Sequence, residues 1–401
     1  MTLTTQNTMP KKTLIPLLFI ALTLDSCTPA SGQKAQKPDV EKSMEIAQAH
    51  LENSLKALSD KTLYPRSTNT DGSVNLVPAR DWTSGFYPGS LWFMYDYTGE
   101  KVWADSAASR TAGLVSVQFN THTHDLGFVL YSSYGNGLRL TENETYAPIL
   151  LQGATTLIKR FNPEIGSIRS WDFKPWEFPV IIDNLMNMEL LFWATKYSGD
   201  STFYDIAVKH ADTTLKNHFR ADNSSFHVVD YDTITHEVSA KKTHQGKSDD
   251  SAWARGQAWG LYGYTLMYRE TKDKKYLAQA EKIAEFILNH PNLPEDMVPY
   301  WDFDAPNEVR DASAAAVVAS GLLELSTYSD QSTRYFDAAE KILASLSSPA
   351  YLAEPGTNNN FILMHSTGHM PKGTEIDGPI AYADYYYLEA LLRYQKHTAK
   401  K

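Results

Sequence analysis

One unit recurs along this chain, and the recurrence limits the folds open to it. Tyr97-Thr98-Gly99-Glu100 is followed by Trp103 and Ala107, and Tyr197-Ser198-Gly199-Asp200 by Phe203 and Ala207. Thr271-Lys272-Asp273 leads to Tyr276 and Ala280, and Tyr328-Ser329-Asp330 leads, one residue later, to Tyr335 and Ala339. A weaker copy runs from Asn143-Glu144 to Tyr146 and Leu150. Each copy has an aromatic-rich helix pattern before it and an Ala- and Lys-rich amphipathic pattern after it. The Gly or polar turn ends one helix, and the acidic residue opens the next. Such a hairpin cannot bury its apolar face alone, so neighbours must stack. A sixth pair joins residues 40–58 to residues 385–395, which closes a ring. The expected fold is all-α, an (α/α)6 barrel of six helical hairpins. An open array would need polar caps, and Tyr385-Tyr386-Tyr387-Leu388-Glu389-Ala390-Leu391-Leu392 is too apolar to be one.

The repeat spacing is uneven, and the extra residues fall in loops at 61–84, 118–139, 162–180, 220–250, 291–310 and 347–380. Functional residues concentrate on loops over a rigid scaffold. Residues 225–231 read as a short strand in one of them. The formal net charge of -10 gives the chain no electrostatic reason to seek nucleic acid or anionic lipid. It also means that an anionic substrate needs a local cationic pocket. The 9 Trp, 23 Tyr and 16 Phe supply core, and they also suit stacking on sugar rings.

The only cysteine is Cys27, so neither an internal disulfide nor a cysteine metal cluster is expected. Lys11 and Lys12 precede an apolar run at 14–24 that ends Leu24-Asp25-Ser26-Cys27. The pattern resembles a bacterial lipoprotein signal over residues 1–27, with Cys27 lipidated. A plain secretory signal and a buried N-terminal segment are the alternatives. Residues 1–8 lie outside the pattern, which leaves Met9 as a second candidate start. Residues 28–38 read as a flexible tether, and 39–401 as one catalytic domain. A lipid on Cys27 would be the chain's only membrane contact, with the domain in the cell envelope on the periplasmic side. The sequence is silent on oligomeric state.

Four segments carry chemistry-bearing residues. Asp81-Trp82-Thr83-Ser84-Gly85-Phe86-Tyr87-Pro88-Gly89 sets aromatics and small residues where a loop enters a helix, as a sugar platform or as packing. His122-Thr123-His124-Asp125 fits no helical zinc motif, and no metal or other cofactor is expected. Asp125 reads as an N-cap or a functional carboxylate, and Gly127 and Gly135 would admit a ligand. Asp183 lies at an apolar helix start, Ile181-Ile182-Asp183-Asn184. Desolvation there suits a general acid, a second carboxylate such as Asp125 would help keep it protonated, and capping is the competing role. The densest polar–aromatic run is His244-Gln245-Gly246-Lys247-Ser248-Asp249-Asp250-Ser251-Ala252-Trp253-Ala254-Arg255-Gly256-Gln257-Ala258-Trp259. Arg255 offers a planar fork for a carboxylate, the Trp side chains offer stacking faces, and Asp249 and Asp250 read as caps.

Together these segments resemble glycoside hydrolase family 88, the unsaturated glucuronyl hydrolases. His365-Ser366-Thr367-Gly368, Pro371-Lys372-Gly373 and Ala383-Asp384-Tyr385-Tyr386-Tyr387 fit as well, so the likeness spans about residues 40–397. It implies an (α/α)6 barrel and an oligosaccharide substrate ending in a 4,5-unsaturated uronate, as polysaccharide lyases leave it. It implies hydration of the vinyl ether, so the carboxylate-distance rule for retention or inversion does not apply. Asp183 matches the general acid/base, and Asp125 matches the partner carboxylate that binds hydroxyls. His227, Gln245, Arg255 and Trp259 match positions that hold the uronate. Trp253 matches an aromatic of the same pocket, and Trp82 lines it. Family members differ near residues 365–372, where His365, His369 and Lys372 meet a sulfate or carboxylate of the leaving sugar, or only solvent.

Three other readings compete. An unsaturated rhamnogalacturonyl hydrolase would share fold and chemistry but act on pectin fragments, and the run at 244–259 disfavours it. A helical-toroid epimerase would need paired catalytic histidines, for which His124 and His365 are poor candidates. A non-catalytic glycan-binding lipoprotein would not need both Asp125 and Asp183.

Overall fold

Asp39 has extended backbone, and its carboxylate accepts the Lys42 N–H at 3.1 Å, which starts α1, Val40–Ala57. The computed structural model describes residues 1–9 and 37–399. Expectations for residues 10–36, including Cys27 and most of the tether, lie outside the described residues. After α1, the strands β1 (Leu63–Thr68) and β2 (Val74–Pro78) form an antiparallel hairpin. Helices then come in pairs. α2 (Phe86–Thr98) turns into α3 (Lys101–Ala112) at Gly99, whose φ of +69° is the left-handed conformation glycine takes without strain. A π-helical segment, Gly127–Gly135, continues as α4 (Asn136–Thr141) and pairs with α5 (Ala147–Leu157).

The short pair β3 (Phe161–Asn162) and β4 (Ser167–Ile168) leads to β5 (Pro179–Ile181). From β5 a 3-10 turn, Ile182–Asn187, enters α6 (Met188–Ser198), which pairs with α7 (Ser201–Asn217). Next come β6 (Val228–Tyr231) and β7 (Val238–Lys242), which join β5 in a sheet ordered β5-β6-β7. β6 is the strand expected at 225–231, shorter by three residues at its start. α8 (Ala254–Thr271) pairs with α9 (Lys274–Asn289), and α10 (Ala312–Leu325) with α11 (Ser332–Leu346). Asp200 and Asp273 cap α7 and α9 by accepting the Thr202 and Lys275 N–H groups at 2.9 and 3.0 Å. The last helix, α12 (Ala381–Thr398), packs on α1.

The inner helices form a closed ring. α2 packs on the π-helical segment, that segment on α6, α6 on α8, α8 on α10, α10 on α12, and α12 on α2. The fold is the all-α (α/α)6 barrel, with α1, α3, α5, α7, α9 and α11 outside. Every inner helix starts at the same end, where the long loops gather. At the other end Arg269 and Arg393 meet Glu189, Glu324 and Glu389 in a cross-helix ion network.

One expectation fails. Residues 118–139 read as a loop, yet 127–141 is the inner helix of the second hairpin. Gly127, Ser132, Ser133, Gly135 and Gly137 weaken its helix signal. They are there for close packing. A Cβ on Gly127 would lie 2.6 Å from Asn187 Cα, and one on Gly135 2.8 Å from the Tyr131 ring. These two glycines admit neighbouring protein, not a ligand.

Candidate active site

The ends where the inner helices begin surround a cavity of about 240 Å³. That is below the roughly 300–1,000 Å³ of pockets that engulf a whole drug-sized ligand. It suits one sugar ring held deeply, with the rest of a chain outside. A larger cavity of about 480 Å³ lies among Arg269, Glu324 and Arg393 at the opposite end, where those charges already pair with one another.

Asp183 is the second residue of the 3-10 turn and does not cap it; Ile181 holds that position. The residue is partly exposed on the cavity wall, but its Oδ1 is buried and takes no hydrogen bond among the described residues. Burial pushes the Asp183 carboxyl well above the ordinary carboxylate range, and the Asp125 carboxylate adds to the push. A backbone N–H and the Arg255 charge oppose it more weakly. Asp125 also lines the cavity and caps no helix by its side chain. Its Oδ2 accepts the Thr123 hydroxyl at 2.7 Å, and its Oδ1 lies 3.3 Å from His124 Nε2.

Trp82, Gln245, Trp253, Arg255 and Trp259 all reach the same cavity. Trp82 lies 5.1 Å from the Tyr382 ring, and Trp259 lies 5.3 Å from Phe128, so both are held by aromatic neighbours. Gln245 donates to Gly368 O at 3.1 Å. Arg255 departs from expectation. Its guanidinium is fully buried and donates to Asp311 at 2.7 Å and to the carbonyls of Thr367 and Gly368. Asp311 is itself the N-cap of α10, accepting from Ser313 N at 3.1 Å. Arg255 therefore ties α8, α10 and the 367–368 loop together beneath the cavity, with its charge already met by a carboxylate.

His227 is not on the cavity wall. It lies behind Trp253, with ring centroids 4.5 Å apart, and its Nδ1 accepts the N–H groups of His244 and Gln245 at 3.1 Å each. It shapes the loop that presents Gln245, and its Nε2–H is left buried without a partner among the described residues. Asp249 and Asp250 do not cap α8, which Trp253 precedes; Asp249 instead accepts the Thr243 N–H at 2.9 Å. His369 and Lys372 line the cavity, whereas His365 pairs with Asp377 at 2.7 Å away from it. Among the described residues, no group of three or more His, Cys, Asp or Glu is arranged to hold a metal.

Sequence reasoning missed Arg66, Trp171, Phe173, Glu375 and Tyr382. Arg66, from β1, pairs with Glu375 at 2.6 Å and Asp81 at 3.0 Å. Trp171 and Phe173 stack at 5.1 Å, and Phe173 is 45% exposed, which leaves an aromatic face at the cavity mouth. The aromatic density of Trp171-Asp172-Phe173 was a usable signal; a lone Arg in a short strand was not.

A desolvated carboxyl whose proton affinity is raised, beside a second carboxyl in an aromatic-walled cavity the size of one ring, is the equipment of a glycoside hydrolase. No family model matches the sequence. The chain is 48% identical to the unsaturated glucuronyl hydrolase of Formosa agariphila, over 97% of this chain and 100% of that one. It is 34% identical to the unsaturated glucuronyl hydrolase of a Bacillus species, over 85% and 93%. A solved unsaturated glucuronyl hydrolase specific for heparin matches with a TM-score of 0.88 and 52% identity, over 90% and 98%. The chain belongs to the unsaturated glucuronyl hydrolases.

Proposed function

We propose that this chain removes a 4,5-unsaturated uronic acid from the non-reducing end of lyase-generated, glycosaminoglycan-type oligosaccharides. The observation that carries the reading is Asp183, a desolvated carboxyl beside Asp125 on the wall of a one-ring cavity. Asp183 gives its proton to C4 of the vinyl ether, and the positive charge develops at C5 and the ring oxygen. The Asp183 carboxylate then takes a proton from water as the water oxygen bonds to C5, which restores the acid. The C5 hemiketal opens to a ketone, leaving a hemiacetal at C1. That hemiacetal collapses to an aldehyde and releases the aglycone as an alcohol. Asp125 accepts sugar hydroxyls, Trp82, Trp253 and Trp259 bound the ring, and Gln245 faces the uronate side.

We take exposed Lys372, which lines the cavity, to face the leaving sugar and favour an anionic substituent there; His369 beside it is kept neutral, burial pushing its imidazole down to about 3. The relative that is 52% identical is specific for heparin, which places heparin-type disaccharides first among substrates to try. The lipoprotein-like pattern ending at Cys27 supports a lipid-anchored enzyme of the cell envelope, probed separately below. The test of the reaction is loss of the conjugated-alkene absorbance on lyase-generated heparin, chondroitin and pectin disaccharides. Consumption of the glycosaminoglycan fragments supports the reading. Consumption of the pectin fragments alone overturns it in favour of a rhamnogalacturonyl hydrolase.

A further inference from the structure

A cavity of about 240 Å³ takes one sugar ring, so the second ring of a disaccharide must rest at the mouth. One side of that mouth is the segment Trp171-Asp172-Phe173, between β4 and β5. Of the aromatic residues lining the cavity, Trp82, Trp171, Trp253, Trp259 and Tyr382 are buried or half-buried, and Phe173 alone is exposed. Single exposed apolar side chains are ordinary on a soluble protein. Phe119 is more exposed still and stands apart from the cavity. Phe173 differs in how its segment is held.

Its ring lies on Trp171, with centroids 5.1 Å apart and planes 25° from parallel. Trp171 is backed in turn by Trp176 at 6.0 Å and, edge-on, by the buried His227 at 5.8 Å. Between the two aromatics, Asp172 lines an outer cleft rather than the cavity. There it accepts two hydrogen bonds from Arg160, from Nη2 at 2.9 Å and from Nη1 at 3.1 Å, while Arg160 Nε donates to Arg169 O at 2.8 Å. Just upstream, the Ser170 N–H donates to Pro179 O at 2.8 Å. Trp171 and Phe173 thus face the cavity, and the anchored carboxylate lies behind them. An apolar face fixed before the ligand arrives costs little ordering entropy to cover.

The adjoining rim is flat and uncharged. His244 lies 5.0 Å from Trp171 and 5.7 Å from Phe173, and His369 lies 4.8 Å from His244. Burial keeps both imidazoles neutral, pushing His244 down to about 4 and His369 to about 3, and Lys372 adds to both effects. A pyranose presents one face of C–H groups, and such a face packs on an aromatic ring.

We propose that Phe173 is a specificity-determining residue, the stacking platform for the leaving sugar attached to the unsaturated uronate. The inference rests on the reading that the uronate fills the cavity. The sugar face is recognised by apolar contact, independently of any charge that Lys372 meets. Stacking is the same before and during proton transfer to C4, so it lowers KM and leaves kcat alone.

Steady-state kinetics on two substrates test this. One is an unsulfated unsaturated heparin disaccharide. The other is the methyl glycoside of the same unsaturated uronate, which has no second ring. Covering about half of a phenyl ring predicts roughly a tenfold change in affinity. Phe173→Ala should therefore raise KM on the disaccharide roughly tenfold with kcat held, and raise it far less on the methyl glycoside. Phe173→Tyr keeps the flat face and should stay close to the parent. Equal KM changes on the two substrates, no change on the disaccharide, or a Tyr variant as impaired as Ala would each overturn the proposal. Calorimetry on Asp183→Asn, with and without Phe173→Ala, reads the same contact without turnover. The disaccharide should bind roughly tenfold more weakly once the ring is gone. If the parent consumes neither substrate, the proposed reaction fails and calorimetry still decides. An equal Kd with and without the ring, or no disaccharide binding at all, overturns the platform.

Discussion

Replacing Asp183 by Asn separates the two consequences of burying this carboxyl. The change is nearly isosteric, so the 3-10 turn and its neighbours keep their packing. On the proposed mechanism, catalysis loses its proton donor. General acid–base catalysis contributes about 10²–10⁴-fold, or about 3 to 5 kcal/mol of barrier, and turnover should fall by at least that. Stability should move the other way. Burial and Asp125 raise the carboxyl in the folded chain, so the folded state holds this proton more tightly than the unfolded state. The stability linked to that proton is fully present below the unfolded carboxylate value near pH 4 and is lost as pH rises through the folded value. Each tenfold gain in proton affinity on folding amounts to about 1.4 kcal/mol forfeited at high pH. An Asn does not titrate and forfeits nothing. Asp183→Asn should therefore resist urea better than the parent at neutral pH, and the advantage should vanish below about pH 4. The assays are urea unfolding at both pH values and alkene loss on one unsaturated disaccharide. Near-parental turnover would make Asp183 a purely structural residue. A variant less stable than the parent at neutral pH would mean that the carboxyl is not held as a desolvated acid.

Asp125→Asn should also be severe, but with a clearer rise in KM, because the role proposed for this carboxylate includes holding hydroxyls; steady-state kinetics beside Asp183→Asn show the split. Arg255→Ala should weaken substrate binding and also destabilise the fold by about 3–5 kcal/mol, because it strands the buried Asp311 carboxylate; denaturant unfolding reads the second effect. Activity should survive dialysis against a strong chelator, and a stoichiometric metal whose removal abolishes turnover would contradict this. Mass spectrometry of protein from native membranes should show lipid on Cys27, whereas a soluble, unlipidated form with Cys27 intact would end the lipoprotein proposal.

The barrel was legible because its turns are written in local chemistry. Gly99 and Gly199 adopt the left-handed C-cap, and Asp200 and Asp273 cap the helices that follow, all within four residues of chain. The second hairpin was illegible for the converse reason. Its inner helix is held by close approach to α2 and Asn187, so its residues were chosen for smallness rather than helix propensity. The site divides along the same line. Asp125, Asp183, Trp253 and Arg255 stand at helix entries where unusual residue density is visible. The partner of Arg255 is 56 residues away, and Arg66 and Glu375 meet across 309 residues, so no local pattern could show that these arginines are already neutralised. His227 matched the family position, but only the fold shows that it acts on the Gln245 loop from behind.

That neutralisation bears on how a chain of net charge -10 receives an anionic sugar. The two arginines of the cavity have each been met by carboxylates, Arg66 by the partly buried Glu375 and Asp81, and Arg255 by the fully buried Asp311. Lys372 at the rim is exposed and makes no ion pair among the described residues. The remaining positive field is in the backbone. Five of the six inner helices bring residues to the cavity at or just before their first turn, and each such N-terminus acts as roughly half a positive charge on the groups just beyond it, whereas that of α10 is already met by the Asp311 carboxylate. The opposite ends, where negative charge accumulates, carry Arg269 and Arg393, which are themselves paired with Glu189, Glu324 and Glu389. The barrel is thus polarised along its axis by its own topology. A field spread over the helix ends attracts a uronate without a free cation beside Asp183. Such a cation would pull the acid's proton affinity down and weaken the chemistry that the cavity is built for.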